Sequence, residues 1–196
     1  LGVPLNMHPT SPLNTTGFEG ALMPGMGFIY DTSLATARLI QTGIFDDEPG
    51  FDLIVPHVGG VLPYLAGRVR VSIKGGPPRP LSDYFDRFYV DTVAHDDDAL
   101  DYCYRVMGAE RMLLGTDHPF GDGRHIGMVE RLDCTKEERE AIYHRNAERL
   151  LGLLVGRRAH RHRRLEHEGQ LGAVDFPFAG RRLVRQRAGR HGGRVV

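Results

Sequence analysis

Two histidines and two aspartates, His8, His57, Asp91 and Asp117, each end a short apolar run: VPLNMH (3–8), FDLIVPH (51–57), RFYVD (87–91) and RMLLGTD (111–117). Imidazole and carboxylate are donors that zinc and other borderline divalent ions accept. His8, His57 and Asp117 are therefore a candidate donor set for one divalent metal. The apolar stretch Met112–Leu114 leading into Asp117 sharpens the case, because an unpartnered carboxylate out of water is costly or takes up a proton. A metal would stabilise its ionised form and acidify a bound water toward neutrality, supplying hydroxide for addition to carbon. A histidine left off the metal would move protons near neutral pH. Each residue also has a plainer reading. His8 before Pro9 and His57 before Val58-Gly59-Gly60 read as loop histidines, Asp91 as a cap for the following helix, and Asp117 as an Asx-turn residue ahead of Pro119. Four such endings in succession favour a site, since parallel α/β sheets keep their chemistry at the carboxyl ends of the strands.

The elements that must position these residues alternate. Short continuous apolar runs bounded by Gly or Pro predict buried parallel strands. Between them, SLATARLIQTG (33–43) predicts a helix closed by Gly43, and VLPYLAGRV (61–69) a shorter one, with a further turn near Asp83–Asp86. DDDALDYCYRVMG (96–108) has acids at its start, where the helix dipole favours them, and Gly108 at its end. TKEEREAIYHRNAERLLG (135–152) opens with Thr135 and Glu138 at capping-box spacing and turns Ile142, Ala147, Leu150 and Leu151 toward a core. His95, His118 and His125 read as loop histidines, and His144 as a surface residue of the last helix. The β-α alternation predicts an α/β fold: a parallel sheet with right-handed crossovers.

At 196 residues, 41% hydrophobic and 26% charged, the chain has the composition of a soluble globular protein with room for one ordinary domain. No apolar run approaches a membrane span and no signal peptide opens the chain. With two cysteines, Cys103 and Cys134, the default compartment is a reducing cytoplasm. The zero net charge hides a split. Residues 152–196 carry eleven arginines, no lysine and three acids, a charge of +8, and residues 1–151 carry the balancing −8. The arginine-rich tail, residues 153–196, is expected to be disordered, because it buries too little apolar surface to offset ordering. Its lack of interleaved aromatics and of any known module argues against nucleic acid as a partner. A coding sequence read out of frame past the true end explains the tail at least as well as a functional arm does. The folded domain is thus expected at residues 1–152.

HPTSP, GFIYDTSLATARLIQTGIF, DLIVPHVGGVLPYLAGRV, FYVDTVAHDDDALDYC, RMLLGTDHPFGD and NAERLLGL, in that order, resemble the amidohydrolase-related family of metal-dependent decarboxylases, of the aminocarboxymuconate-semialdehyde decarboxylase type. The likeness covers residues 1 to about 152 and leaves out the tail. It implies a (β/α)8 barrel of which this chain holds the C-terminal half, strands five to eight, and one divalent ion, usually zinc. It further implies that His8 and Asp117 are metal ligands and that His57 is the acid/base residue beside metal-bound water. Asp91 is assigned to the substrate. The family carries a His-x-His pair on its first strand, whereas the H-x-H here is His160-Arg161-His162, in the tail.

Four parallel strands alone would leave two open edges and an uncovered inner face. The expected partners are a small carboxylate substrate and either a second copy of the chain or the absent N-terminal half. The function expected is decarboxylation of a small unsaturated or aromatic carboxylate. Hydrolysis of an amide, ester or lactone by the same site is one alternative, and an inactive half-barrel or assembly partner is another.

Overall fold

The computed structural model describes residues 3–10, 15–69, 75–121 and 123–153. The arginine-rich tail from residue 154 onward, with its H-x-H, lies outside them. Four strands, β1 (Leu5–Asn6), β2 (Leu53–Val55), β3 (Phe88–Asp91) and β4 (Met112–Leu113), form one sheet in the order β1-β2-β3-β4, every pair parallel. The helical elements are α1 (Phe28–Thr42), α2 (Ile44–Asp47), the irregular turn α3 (Pro56–Gly59), α4 (Leu62–Leu65), α5 (Asp97–Met107), α6 (His125–Arg131), α7 (Lys136–Glu140) and α8 (Asn146–Leu150). The expected α/β alternation is present, and all four predicted strands lie inside the runs that predicted them.

Burial follows the composition of those runs. Val55, Phe88, Val90 and Met112 are fully buried, as continuous Val/Phe/Leu runs in a parallel sheet should be. Phe45 of α2 lies within 5.5–6.3 Å, ring to ring, of Phe51, Tyr84 and Phe88, which closes the core at one end of β2 and β3. β1 is different: Leu5 is 52% exposed, and among the described residues β1 pairs only with β2. No helix among the described residues is long and apolar enough to cross a membrane.

Local signals account for the helix ends. Gly43 takes φ 80° and its N–H reaches the Ile40 carbonyl at 3.1 Å, a left-handed cap. The Asp96 carboxylate accepts from Ala99 N at 3.1 Å at the start of α5. Thr135 and Glu138 close a reciprocal capping box. Three expectations are corrected. The first helix begins five residues early, at Phe28, and continues a π-helical turn over Met23–Gly27. The segment 135–152 is divided by a π-helical turn, Ala141–Arg145, and of the residues expected to face the core Ile142 is buried while Leu151, past the end of α8, is 55% exposed. His125, expected in a loop, is fully buried and begins α6, an element its short apolar run did not announce.

Candidate active site

The parallel register carries the four run ends to one end of the sheet, at the carboxyl ends of its strands, since neighbouring strands lie about 4.8 Å apart and all point the same way. At the end of β1, Met7 N still bonds the Ile54 carbonyl at 3.0 Å, and His8 follows it exposed. The His8 Nδ1 lies 2.8 Å from the Pro9 carbonyl oxygen. A carbonyl can only accept, so Nδ1 carries a proton, which leaves Nε2 as the nitrogen a metal would take. The Thr10 amide donates to Asp31 Oδ2 at 3.1 Å, tying this loop to α1.

β2 ends in an unusual turn. His57 has φ 57° and ψ 54°, and Val58 has φ 51° and ψ 30°. Two consecutive non-glycine residues in the left-handed region, one of them β-branched, are rare and store strain. Asp91 at the end of β3 faces this turn. Its Oδ1 accepts from Val58 N at 3.0 Å and from Val93 N at 3.1 Å, and the His57 amide adds to the same carboxylate. Burial pushes the Asp91 carboxyl above its ordinary value, while these amides and the nearby His57 imidazole pull it back. The half-buried His57 ring keeps its Nδ1 shielded from solvent with no hydrogen-bond partner among the described residues.

The end of β4 is held by a side chain that the pattern of apolar runs did not single out. Buried Thr92 donates Oγ1–H to the Gly115 carbonyl at 2.9 Å and accepts from Gly115 N at 3.1 Å, extending the β3–β4 pairing beyond the last ladder bond. Asp117 then takes φ 55°, and its carbonyl accepts from the amides of Phe120 and Gly121, each at 2.7 Å. Gly121 is required here, because a Cβ would overlap the Thr116 carbonyl oxygen. Asp117 and His118 are exposed, and the His118–Pro119 peptide is cis. Beside this loop, His95 (φ 60°) and His125 meet edge to face at 4.9 Å.

Residues 1–153 match the family model described as amidohydrolase. The chain belongs to the amidohydrolase family. It is 30% identical over 168 residues to gamma-resorcylate decarboxylase of Rhodococcus jostii strain RHA1, covering 78% of this chain and 51% of that protein. Identity to the 2-amino-3-carboxymuconate-6-semialdehyde decarboxylase of Dictyostelium discoideum is 27% over 164 residues, covering 78% and 46%. A dihydroxybenzoic acid decarboxylase from Polaromonas sp. JS666, solved with bound manganese and the inhibitor 2-nitroresorcinol, superposes with a TM-score of 0.70 at 28% identity over 78% of this chain and 50% of that one. This amidohydrolase-family chain thus spans about half the length of the curated relatives it matches.

The metal in that superposed relative is manganese, one of the divalent ions the donor types admit, where the resemblance had implied zinc. Among the described residues no group of three or more His, Cys, Asp or Glu side chains is arranged to hold a metal. A catalytic site of this kind takes about three protein donors and a water, so the described residues do not by themselves fit a complete metal centre.

Proposed function

We propose that residues 1–152 are strands five to eight of a (β/α)8 amidohydrolase-family decarboxylase whose substrate is a small aromatic carboxylate. The observation that carries this is the succession His8, His57, Asp91 and Asp117 at the same end of four adjacent parallel strands, in a chain of that family. β1–β4 correspond to strands five to eight in this reading. His8 and Asp117 are offered as two donors of a divalent site, manganese or zinc, whose remaining donors lie outside the described residues. The exposed Leu5 edge is where the rest of the barrel, or a second copy of the chain, would pair.

Replacing a carboxyl group by hydrogen requires a proton at the carbon that carbon dioxide leaves. His57 is suited to deliver it, being fixed at a strand end with one ring nitrogen shielded from water and uncommitted. Asp117 is exposed and Asp91 is engaged by backbone amides, which leaves the imidazole as the proton carrier.

The test is carbon dioxide release from 2,6-dihydroxybenzoate with manganese or zinc. It is assayed for the chain alone and for the chain supplied with a four-strand segment bearing the His-x-His pair. Release only in the supplied sample supports the reading. Turnover by the metal-loaded chain as a monomer would overturn the half-barrel assignment. Cleavage of an ester or lactone without carbon dioxide release would replace decarboxylation by hydrolysis.

A further inference from the structure

The loop His57–Val61 is gripped from three elements. From β3, Asp91 Oδ1 takes the Val58 amide at 3.0 Å and the Val93 amide at 3.1 Å. From α1, Ser33 Oγ accepts from Val61 N at 2.9 Å while donating to the Ile29 carbonyl at 2.7 Å. From α5, Cys103 Sγ lies 3.5 Å from the Val58 carbonyl. The fit is close at Gly60, whose φ is 65° and where a Cβ would overlap Ser33 Oγ. Left-handed non-glycine residues such as His57 and Val58 are strained and persist only where the surroundings over-determine them. Asp91 is the one side chain among those three that bonds an amide inside the strained pair.

We propose that Asp91 is a positioning residue: by accepting the Val58 and Val93 amides it holds the His57–Val58 turn left-handed and aims the His57 imidazole, without touching substrate. This rests on the reading of His57 as the proton carrier. Asp91 Oδ1 is already occupied by two amides, and the His57 amide bonds the same carboxylate, which is the geometry of a backbone clamp. The clamp needs an acceptor at Oδ1 rather than a charge. A carboxamide in the same place supplies that acceptor, and an alanine does not.

The experiment compares Asp91→Asn and Asp91→Ala in the full chain, with amide hydrogen exchange at Val58 and Val93 and the backbone carbon shifts of His57 and Val58 as readouts. Asp91→Ala is expected to speed exchange at both amides about tenfold or more and to move the His57–Val58 shifts out of the left-handed range, with Leu100 and Ile142 unchanged. Asp91→Asn is expected to retain wild-type values at all of these positions. In the assembled enzyme Asp91→Ala lowers kcat with KM unchanged, and Asp91→Asn restores kcat. The proposal is overturned if Asp91→Asn loses the turn as Asp91→Ala does, if Asp91→Ala leaves the two amides and His57 unmoved, or if KM rises in Asp91→Asn. Should Asp91→Ala fail to fold, the Asp91→Asn amide and shift readouts decide alone. They need no turnover, so they separate an error about Asp91 from an error about the reaction.

Discussion

The Asn146 carboxamide donates to the Met112 carbonyl at 2.8 Å and to the Ala109 carbonyl at 2.7 Å, pinning the first residue of α8 to the entry of β4. Asn146 is fully buried, so these two carbonyls have no access to water through it. Asn146→Ala leaves both acceptors unpaired in the core and should cost about 2 kcal/mol or more. Urea unfolding of the two proteins measures it, and a loss within error of zero would mean that the carbonyls find other donors.

Gly60 and Ser33 form a second such pair, tied by space rather than by a bond. Gly60→Ala combines a left-handed φ with a Cβ placed on Ser33 Oγ and should destabilise by at least about 1 kcal/mol. In a Ser33→Ala background the overlap is relieved but the φ strain remains, so the added cost of Gly60→Ala should be smaller there. A double-mutant cycle reads this coupling, and full additivity would contradict it.

His57→Gln tests the proton carrier. In the assembled enzyme carbon dioxide release should fall by about 100-fold or more, with circular dichroism and unfolding midpoint close to wild type. Retained turnover would move the proton transfer to another group.

Manganese titration of the chain alone should show binding far weaker than a three-donor site gives, because the described residues offer no third donor. His8→Ala and Asp117→Ala should each abolish what binding remains, as read by the resonance of free manganese. Tight stoichiometric binding that survives both substitutions would remove His8 and Asp117 from the metal.

Acid should act on this chain in two opposed ways. The Glu138 carboxylate is held below its ordinary value of 4.5, first by the Thr135 amide and then by the Thr135 hydroxyl. Its contribution is therefore present above pH 4.5 and is lost as pH falls through the folded-state value. Asp91 has the reverse sign. Burial raises it, so its contribution is present below its ordinary value of 3.8 and is lost as pH rises through the folded-state value. Urea midpoints between pH 3 and pH 7 should therefore fall less steeply toward acid in Glu138→Gln than in wild type. Asp91→Asn should gain on wild type as pH rises.

The sequence made the strands legible because parallel, doubly buried strands leave continuous apolar runs, and the four polar endings were legible as punctuation of those runs. The caps at Gly43 and Thr135, and the acidic start of α5, were legible because helix-end chemistry is local, decided within a few residues. The left-handed turn at His57–Val58 was not, since no spacing in VPHVGG announces strain that Asp91, more than thirty residues away, compensates. The same holds for His125: nothing in GRHIGMVERL distinguishes a loop histidine from one buried against His95. The π-helical turn at Ala141–Arg145 escaped for a related reason. It lies inside a segment with a continuous helical pattern, and nothing in that pattern marks where a wider turn is inserted.

In this sheet the spatial order of strands repeats their order along the chain. As the polypeptide emerges from the ribosome, each of β2, β3 and β4 meets a partner that has already been synthesised, and none waits to be inserted between two others. Each pairing closes one strand–helix unit, and the entropy of closing such a loop grows only slowly with its length. Growth can then run in one direction, from β1 through β4, as vectorial folding during synthesis prefers. Once the chain through α5 has cleared the ribosome, the β1-β2-β3 ladder can form, and with it both residues of the Asp91–Val58 clamp.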